Sequence, residues 1–438
     1  MIVGIARSGS SAARLLAARG ERVRAVDSGH PDGADRLAEA GVEVNLDVDG
    51  TAFLDGVKTV IKSPGVPNDA AVIEAARQRD IDVIGELELA WRAMPNRFVG
   101  VTGTNGKTTT TELLGELYRA AGEPVAVAGN VGTPLSRLVD EIDREATVIC
   151  ECSSFQLEDA DLFAPECAVF LNLAPDHLDR HPTEGEYLAA KLRIFAHQGN
   201  DDIAVYNGDA TALQGRDLGG CARRVRFCVG ADPDCDLSLA EGTIFWNGEP
   251  LIEAGELSMA GEHNLQNAMA AGAAALAMGL DPDAVRDGLR TFPGIPHRLE
   301  RVAELGGVVF YNDSKATNVS AAVAGITAFE GGVRAILGGR PKGESFEPLF
   351  EPVRERCSGC YLIGEAAAEI YAALEGAGVP LHRCASLEDA VAQAEAEAVP
   401  GEVVLLSPAC ASFDDFIDFE QRGEAFRVTV GGLAVGEQ

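Results

Sequence analysis

The run Gly103-Thr104-Asn105-Gly106-Lys107-Thr108 follows a short apolar stretch, Phe98-Val99-Gly100-Val101, and opens a helical pattern. Glycines at a strand-to-helix turn let backbone N–H groups face an anion, and the helix adds its positive N-terminal end. Lys107 is placed to reach terminal phosphates, and the Thr108 hydroxyl to join a magnesium shell. The standard phosphate loop needs a further glycine where this chain has Val101, so the loop is a shorter G-x-x-G-K-T form.

Two more candidates fall at strand ends, and a third on a helix. Glu151 follows Val148-Ile149-Cys150, where a carboxylate can hold a divalent cation already touched by Thr108. A solvated strand-end acid is the plainer alternative. His177 stands between Asp176 and Asp179 after the apolar run 168–173 and is either a surface histidine or a metal or substrate ligand. Thr183 and Glu186 form a capping-box pattern, and Leu188, Leu192 and Phe195 an apolar stripe at helical spacing. Lys191 lies at the edge of that stripe. Its ordinary role there is to lay its stem along the core with the amine in water; residue physics alone gives no other.

The elements that must position these groups alternate between strand and helix patterns, which predicts parallel sheets flanked by helices. In such sheets ligands collect beyond the carboxyl ends of the strands, so these groups share one rim. Strands are expected at 2–5, 22–26, 43–46, 59–62 and 82–84, and helices at 10–19, 34–40 and 70–79. Later strands are expected at 308–311, 334–337, 360–363 and 403–406. Met94-Pro95-Asn96 and the segment 292–296 read as linkers. The fold class is therefore α/β with three domains: a Rossmann-like domain at 1–92, a P-loop-type ATP-binding domain at 93–296 and a Rossmann-like domain at 297–438.

The chain has 438 residues, 46% of them hydrophobic, with 36 Lys+Arg against 68 Asp+Glu and a net charge of −32. That excess of negative charge disfavours nucleic acid and anionic membranes as partners. No stretch resembles a signal peptide or a bilayer span, so a cytoplasmic protein is expected. Its ten cysteines are then expected as reduced thiols. The isolated Cys357-x-x-Cys360 lacks a second pair at zinc spacing.

The segments G-T-N-G-K-T-T, C-E-C-S-S-F-Q-L, N-L-A-P-D-H-L-D-R-H, G-E-H-N-L-Q-N-A-M-A-A, H-R-L-E and N-D-S-K-A-T-N, in this order, resemble the Mur ligase family. The family uses the short phosphate loop, which accounts for Val101. The stretches 312–318 and 406–416 point to the branch that adds D-glutamate, and the D-N-P-R motif of the diamino-acid branch is missing. The resemblance implies an ATP-dependent amide-bond-forming ligase that joins D-glutamate to UDP-N-acetylmuramoyl-L-alanine through an acyl phosphate. It also implies a monomer.

Carried over by position, Gly103, Thr104, Asn105, Gly106, Lys107, Thr108 and Thr109 hold the ATP phosphates. Asn267, Arg298, Asp313 and Lys315 hold the rest of the nucleotide. Thr108 and Glu151 ligate one Mg2+, and His177 with a carbamylated Lys191 a second. Arg7, Ser8, Gly9, Asp27, Ser28, Ser63, Pro64, Gly65, Asn130 and Ser153 embrace the UDP-linked substrate; Thr317, Lys342, Ser412 and Phe419 bind D-glutamate. Lys107, His177, Lys191 and Lys315 are the implied catalytic set. The chain departs from the family pattern at Ala6, Val319 and Pro341. Three rival readings are a sister ligase with another amino acid, a regulatory ATPase, and a dinucleotide oxidoreductase suggested by Gly4-x-Ala6-x-x-Gly9 with Asp27.

Overall fold

The computed structural model describes residues 1–31, 33–130, 132–174, 180–181, 183–230, 232, 234–259, 261–292 and 294–436. Within them lie three sheets. The first joins β1 (Ile2–Val3), β2 (Arg24–Val26), β3 (Glu43–Asn45), β4 (Thr59–Lys62) and β5 (Asp82–Gly85) in the order 3-2-1-4-5, all parallel. Neighbouring residues on these strands face opposite sides. Ile2, Ala25 and Ile61 pack with Ala12, Ala13 and Leu37 on one face, and Val3, Val26 and Val60 with Val72 and Ile73 on the other. Both faces are covered, as a parallel sheet requires. The flanking helices are α1 (Arg7–Ala18), α2 (Ala34–Glu39), α3 (Ala71–Gln78) and α4 (Glu86–Ala93). β1 is shorter than the sequence predicts and α1 starts earlier, because Gly4 takes φ +82° and ends the strand.

The second sheet contains β6 (Phe98–Thr102), β7 (Val125–Gly129), β8 (Thr147–Glu151), β9 (Cys167–Phe170), β10 (Ile203–Asn207), β11 (Arg223–Cys228), β12 (Leu237–Ala240), β13 (Thr243–Trp246) and β14 (Glu249–Glu253). Its order is 14-13-12-11-10-9-6-8-7. The helices that matter for the site are α5 (Lys107–Ala120), α6 (Leu135–Leu138), α7 (Ser154–Glu158), α8 (Glu184–Leu192) and α9 (Glu262–Ala277). The third sheet holds β15 (Glu300–Leu305), β16 (Val308–Asn312), β17 (Val333–Gly338), β18 (Cys357–Ile363), β19 (Leu381–Arg383) and β20 (Val403–Leu406), ordered 15-16-20-17-18-19.

The expected parallel sheets carry antiparallel pairs at two edges. β12–β13–β14 is an antiparallel meander and β15 pairs antiparallel with β16. The cause is local: Glu241-Gly242, Asn247-Gly248 and Gly306-Gly307 each have both residues at positive φ. Two consecutive left-handed residues form the tight turn that matches strand twist and returns the chain beside itself.

By packing, residues 1–258 with 263–292 form one compact unit carrying the first two sheets, and residues 259–262 with 293 onward form a second carrying the third. The expected linker after α4 is a packed joint. Leu87, Ala90 and Met94 enter the core of the second sheet beside Phe98, Leu135 and Phe163. Asn96 is buried, and its Nδ2 donates to the carbonyls of Asp143, Arg144 and Ala146. The cysteine reading also needs one correction. Cys228, ending β11, and Cys235, just before its neighbour β12, are joined as a disulfide. The tight connection between adjacent strands brings the two sulfurs together, and the other eight remain free thiols.

Candidate active site

The phosphate loop lies between β6 and α5. Gly103 (φ +155°) and Gly106 (φ +83°) cannot be replaced without collision. A Cβ at Gly103 would stand 2.9 Å from Leu171 Cβ, and one at Gly106 would stand 2.1 Å from Asn267 Oδ1. Asn172 clasps the loop from β9's end: its Oδ1 accepts from the N–H groups of Thr104 (3.1 Å) and Asn105 (2.9 Å), and its Nδ2 donates to Asn105 O. Lys107 Nζ donates to the carbonyls of Gly103 and Thr104 at 2.9 and 2.8 Å. α5 begins without a side-chain cap, so its first-turn N–H groups, those of Thr108 and Thr109 among them, face the loop's mouth. Thr110 Oγ1 reaches Asn267 Oδ1 at 3.4 Å, which brings that nucleotide candidate to the loop.

β8 delivers Glu151, buried on the same rim. Thr108 Oγ1 donates to its Oε2 at 2.8 Å, and Asn130 Nδ2 to its Oε1 at 3.0 Å. Gly129 permits this approach, since a Cβ there would lie 2.4 Å from Glu151 O. A hydroxyl and a buried carboxylate beside an open helix start are hard oxygen donors, and they fit Mg2+. Ser153, expected to face substrate, caps α7: its Oγ accepts from Gln156 N at 3.2 Å in a reciprocal capping box.

α8 starts at the predicted cap, with Glu186 N donating to Thr183 Oγ1. Lys191 does not lay its amine out to water. It is 1% exposed, its Nζ donates to Gly103 O at 2.7 Å, and it sits 4.4 Å from the Tyr187 ring centroid. Helical spacing turns it inward with Tyr187 and Leu188. The amine thus lies under the phosphate loop, at the place a carbamate would extend from. His177, Asp176 and Asp179 lie outside the described residues. His181, without evident placement from sequence, is buried with Nε2 3.0 Å from Ser154 Oγ.

At the carboxyl ends of β1, β2 and β4, Ser8 Oγ lies 3.2 Å from Ser63 Oγ. Gly9 lets α1 pass Gly4, whose carbonyl oxygen would be 1.9 Å from an added Cβ. Asp27 accepts from Ile5 N and Gly29 N at 2.8 and 2.9 Å, and Arg7 donates to Gly132 O. Ser28 and Gly65 are exposed beside them. Ser63-Pro64-Gly65-Val66 is a closed turn, with Val66 N donating to Ser63 O at 2.9 Å.

The second unit assembles the remaining candidates at the ends of β16, β17 and β20. Asp313 is buried; its Oδ2 accepts from Ser407 Oγ at 2.7 Å and its Oδ1 from Leu299 N at 3.2 Å. Burial pushes its pKa up to about 7. His297 and Leu299 both take positive φ, an unfavourable conformation for such residues, which sets the direction of Arg298 between them. Lys315 Nζ lies 5.8 Å from the Phe419 ring centroid, and Lys342 Nζ donates to Thr317 Oγ1 at 3.4 Å. Arg340 and Ala411 exchange backbone hydrogen bonds, drawing the segment before Lys342 alongside buried Ser412. Sequence reasoning missed Arg422, buried beneath these groups. It donates to Ser314 Oγ and to the carbonyls of Ser314, Cys410 and Ala411.

Three family descriptions match the chain. They are the Mur ligase MurD-like N-terminal domain over residues 1–85, the Mur ligase middle domain over 101–275, and the Mur ligase, glutamate ligase domain over 297–410. The chain is 40% identical to a UDP-N-acetylmuramoylalanine--D-glutamate ligase of Acidobacterium capsulatum, over 98% of its own length and 95% of the relative's. It is 41% identical to the like-named protein of Geotalea daltonii, over 100% and 98%. Among solved structures it resembles the UDP-N-acetylmuramate-alanine ligase MurC of Thermotoga maritima, with TM-score 0.59 and 18% identity over 98% of each chain. A D-alanyl-D-alanyl-adding ligase of Acinetobacter baumannii also gives 0.59, at 19% identity over 80% and 81%. These two likenesses concern the fold.

Proposed function

The chain belongs to the Mur ligase family, and we propose that it joins D-glutamate to UDP-N-acetylmuramoyl-L-alanine at the expense of ATP. The observation that carries this reading is the meeting of Thr108, Glu151, Asn130 and Lys191 around one phosphate loop. The three sheets then correspond to an acceptor domain (1–92), an ATP domain (93–296) and an amino-acid domain (297–438). No described helix is long and apolar enough to cross a membrane, and a cytoplasmic monomer working on small molecules is part of the proposal.

In the reaction the acceptor's terminal carboxylate attacks the γ-phosphorus of ATP, forming an acyl phosphate and ADP. The D-glutamate amine then attacks that carbonyl, and the tetrahedral intermediate collapses to amide and inorganic phosphate. No covalent bond to the protein is needed, so the residues act by position and charge. Lys107 spans the loop toward the terminal phosphates, and the α5 N–H groups bind phosphate oxygens. Asn267 approaches from α9, while Arg298, Asp313 and Lys315 take the remainder of the nucleotide. Thr108 and Glu151 would hold one Mg2+, and His177 with a carbamylated Lys191 a second. Bound there, the metal supplies charge neutralisation for the transferring phosphoryl group. Ser8, Ser63, Gly65 and Asn130 orient the UDP-linked acceptor. Thr317, Lys342, Ser412 and Phe419 orient D-glutamate.

The decisive assay is phosphate release with the UDP-linked acceptor against a panel of amino acids. D-Glutamate should be preferred and both co-substrates required. Preference for another amino acid points to a sister ligase, and acceptor-independent hydrolysis to a regulatory ATPase. Lys191→Ala should lose about a thousandfold or more in turnover, with partial rescue by short carboxylates; full activity in that variant rules out the carbamate.

A further inference from the structure

Lys62 ends β4 immediately before the turn Ser63–Val66 and is wholly buried. Its Nζ lies 2.7 Å from Asp159 Oδ2 and donates to Val66 O at 2.8 Å. Asp159 follows α7 directly and is pinned from the other side, where Gly85 N donates to its carbonyl at 2.8 Å. A carboxylate at the C-terminal end of a helix meets the negative end of the helix dipole, and burial removes the water that would otherwise stabilise it. Burial correspondingly pushes Asp159 up and Lys62 down, each offset by the other's charge, with Glu158 and Arg180 the further charged groups facing them. Stability does not explain the pair, since apolar residues of similar volume do as well in such positions.

What the pair adds is a grip on the turn. Arg180 completes it, donating to Pro64 O at 3.2 Å and Val66 O at 3.0 Å while lying 4.8 Å over the Phe155 ring. The two carbonyls are therefore fixed by cations. Because a trans peptide sets C=O and N–H in opposite directions, the Pro64 carbonyl aimed at Arg180 turns the Gly65 N–H to the other side. Gly65 itself is exposed.

We infer that Lys62 and Asp159 are positioning residues for the diphosphate of the acceptor. They fix the Ser63–Val66 turn to α7, the helix that follows Glu151, so that the diphosphate and the phosphoryl-transfer centre keep a set separation. This rests on the ligase reading above. Neither side chain touches substrate; both act through the turn.

The test uses full-length Lys62→Met, Asp159→Leu and the double variant, with KM measured for each co-substrate and thermal unfolding in parallel. Lys62→Met, by releasing Val66 O and loosening the turn, should raise the acceptor KM about tenfold and leave the KM for ATP nearly unchanged. The double variant should regain the unfolding temperature but keep the raised acceptor KM. An acceptor KM that returns to the wild-type value with stability, or never rises, overturns the inference. Should a single variant not fold, the double variant decides alone. Wild-type protein without acceptor-dependent phosphate release would defeat the ligase reading itself, whatever the variants do.

Discussion

Lys62 and Arg422 are both buried cations beneath loops proposed to bind substrate, one in each compact unit, and they are accommodated differently. Lys62 faces a single carboxylate at 2.7 Å and one carbonyl. Arg422 has no ion pair among the described residues; its guanidinium fans onto three carbonyls and one hydroxyl. Burial lowers its pKa to about 10, so it stays charged at neutral pH. A lysine offers one nitrogen and needs a counter-charge, whereas arginine's rigid fork can tie several strand ends together through their carbonyls. Arg422 thus holds Ser314, next to Asp313 and Lys315, against Cys410 and Ala411, next to Ser412.

The contrast is broken most severely at Arg422. Arg422→Met leaves the Ser314 and Cys410 carbonyls without that donor, Ala411 O keeping the Arg340 N–H, and should destabilise the second unit by about 4 kcal/mol, read by guanidinium unfolding. Arg422→Lys should recover less than half of that; full recovery would mean that charge matters and the fork does not. Lys62→Met, by breaking a buried pair, should cost about 3 kcal/mol, yet adding Asp159→Leu should return most of it. No second substitution can do the same for Arg422, because three of its four partners are main-chain carbonyls.

Two of the buried carboxylates, Asp159 and Asp313, sharpen the comparison through pH. Asp159 faces Lys62, whereas Asp313 meets the Ser407 hydroxyl, the Leu299 N–H and the more distant Arg298, and its pKa is raised to about 7 from 3.8 by burial. The folded state then holds a proton that the unfolded chain has already released. Its contribution to stability is complete below pH 3.8 and disappears as pH rises through 7. Asp313→Asn should flatten that part of the melting-temperature profile; an unchanged slope between pH 4 and 8 would locate the dependence elsewhere. The smallest effect is expected at Ser153. Ser153→Ala removes the α7 cap at a cost of about 1 kcal/mol, and a large rise in acceptor KM without that loss would restore a direct substrate role.

What could be read beforehand depended on contiguity. The phosphate loop declares itself because its glycines, lysine and threonine are neighbours in sequence. The alternation of apolar runs likewise displayed the parallel strands. The antiparallel edges had a signal too, in Asn247-Gly248 and Gly306-Gly307, but the regular strand–helix rhythm outweighed it. Lys191 was misjudged because an apolar stripe describes a helix face and not what covers it; its acceptor, Gly103 O, is 88 residues away. Arg422 meets Ser314 across 108 residues, and Lys62 looks unremarkable until Asp159 is beside it. Such pairings arise from topology, and no local pattern encodes them.

The closeness of Gly106 to Asn267 has a further consequence for synthesis of the chain. The loop leaves the ribosome long before α9, yet its conformation is completed by a side chain on that helix. Strands β7 to β14 separate the two in order of emergence. A nascent chain can therefore form the first sheet while its nucleotide pocket still lacks a wall. Completion of the nucleotide pocket is then a late event of translation, after residues 1–92 have already taken shape.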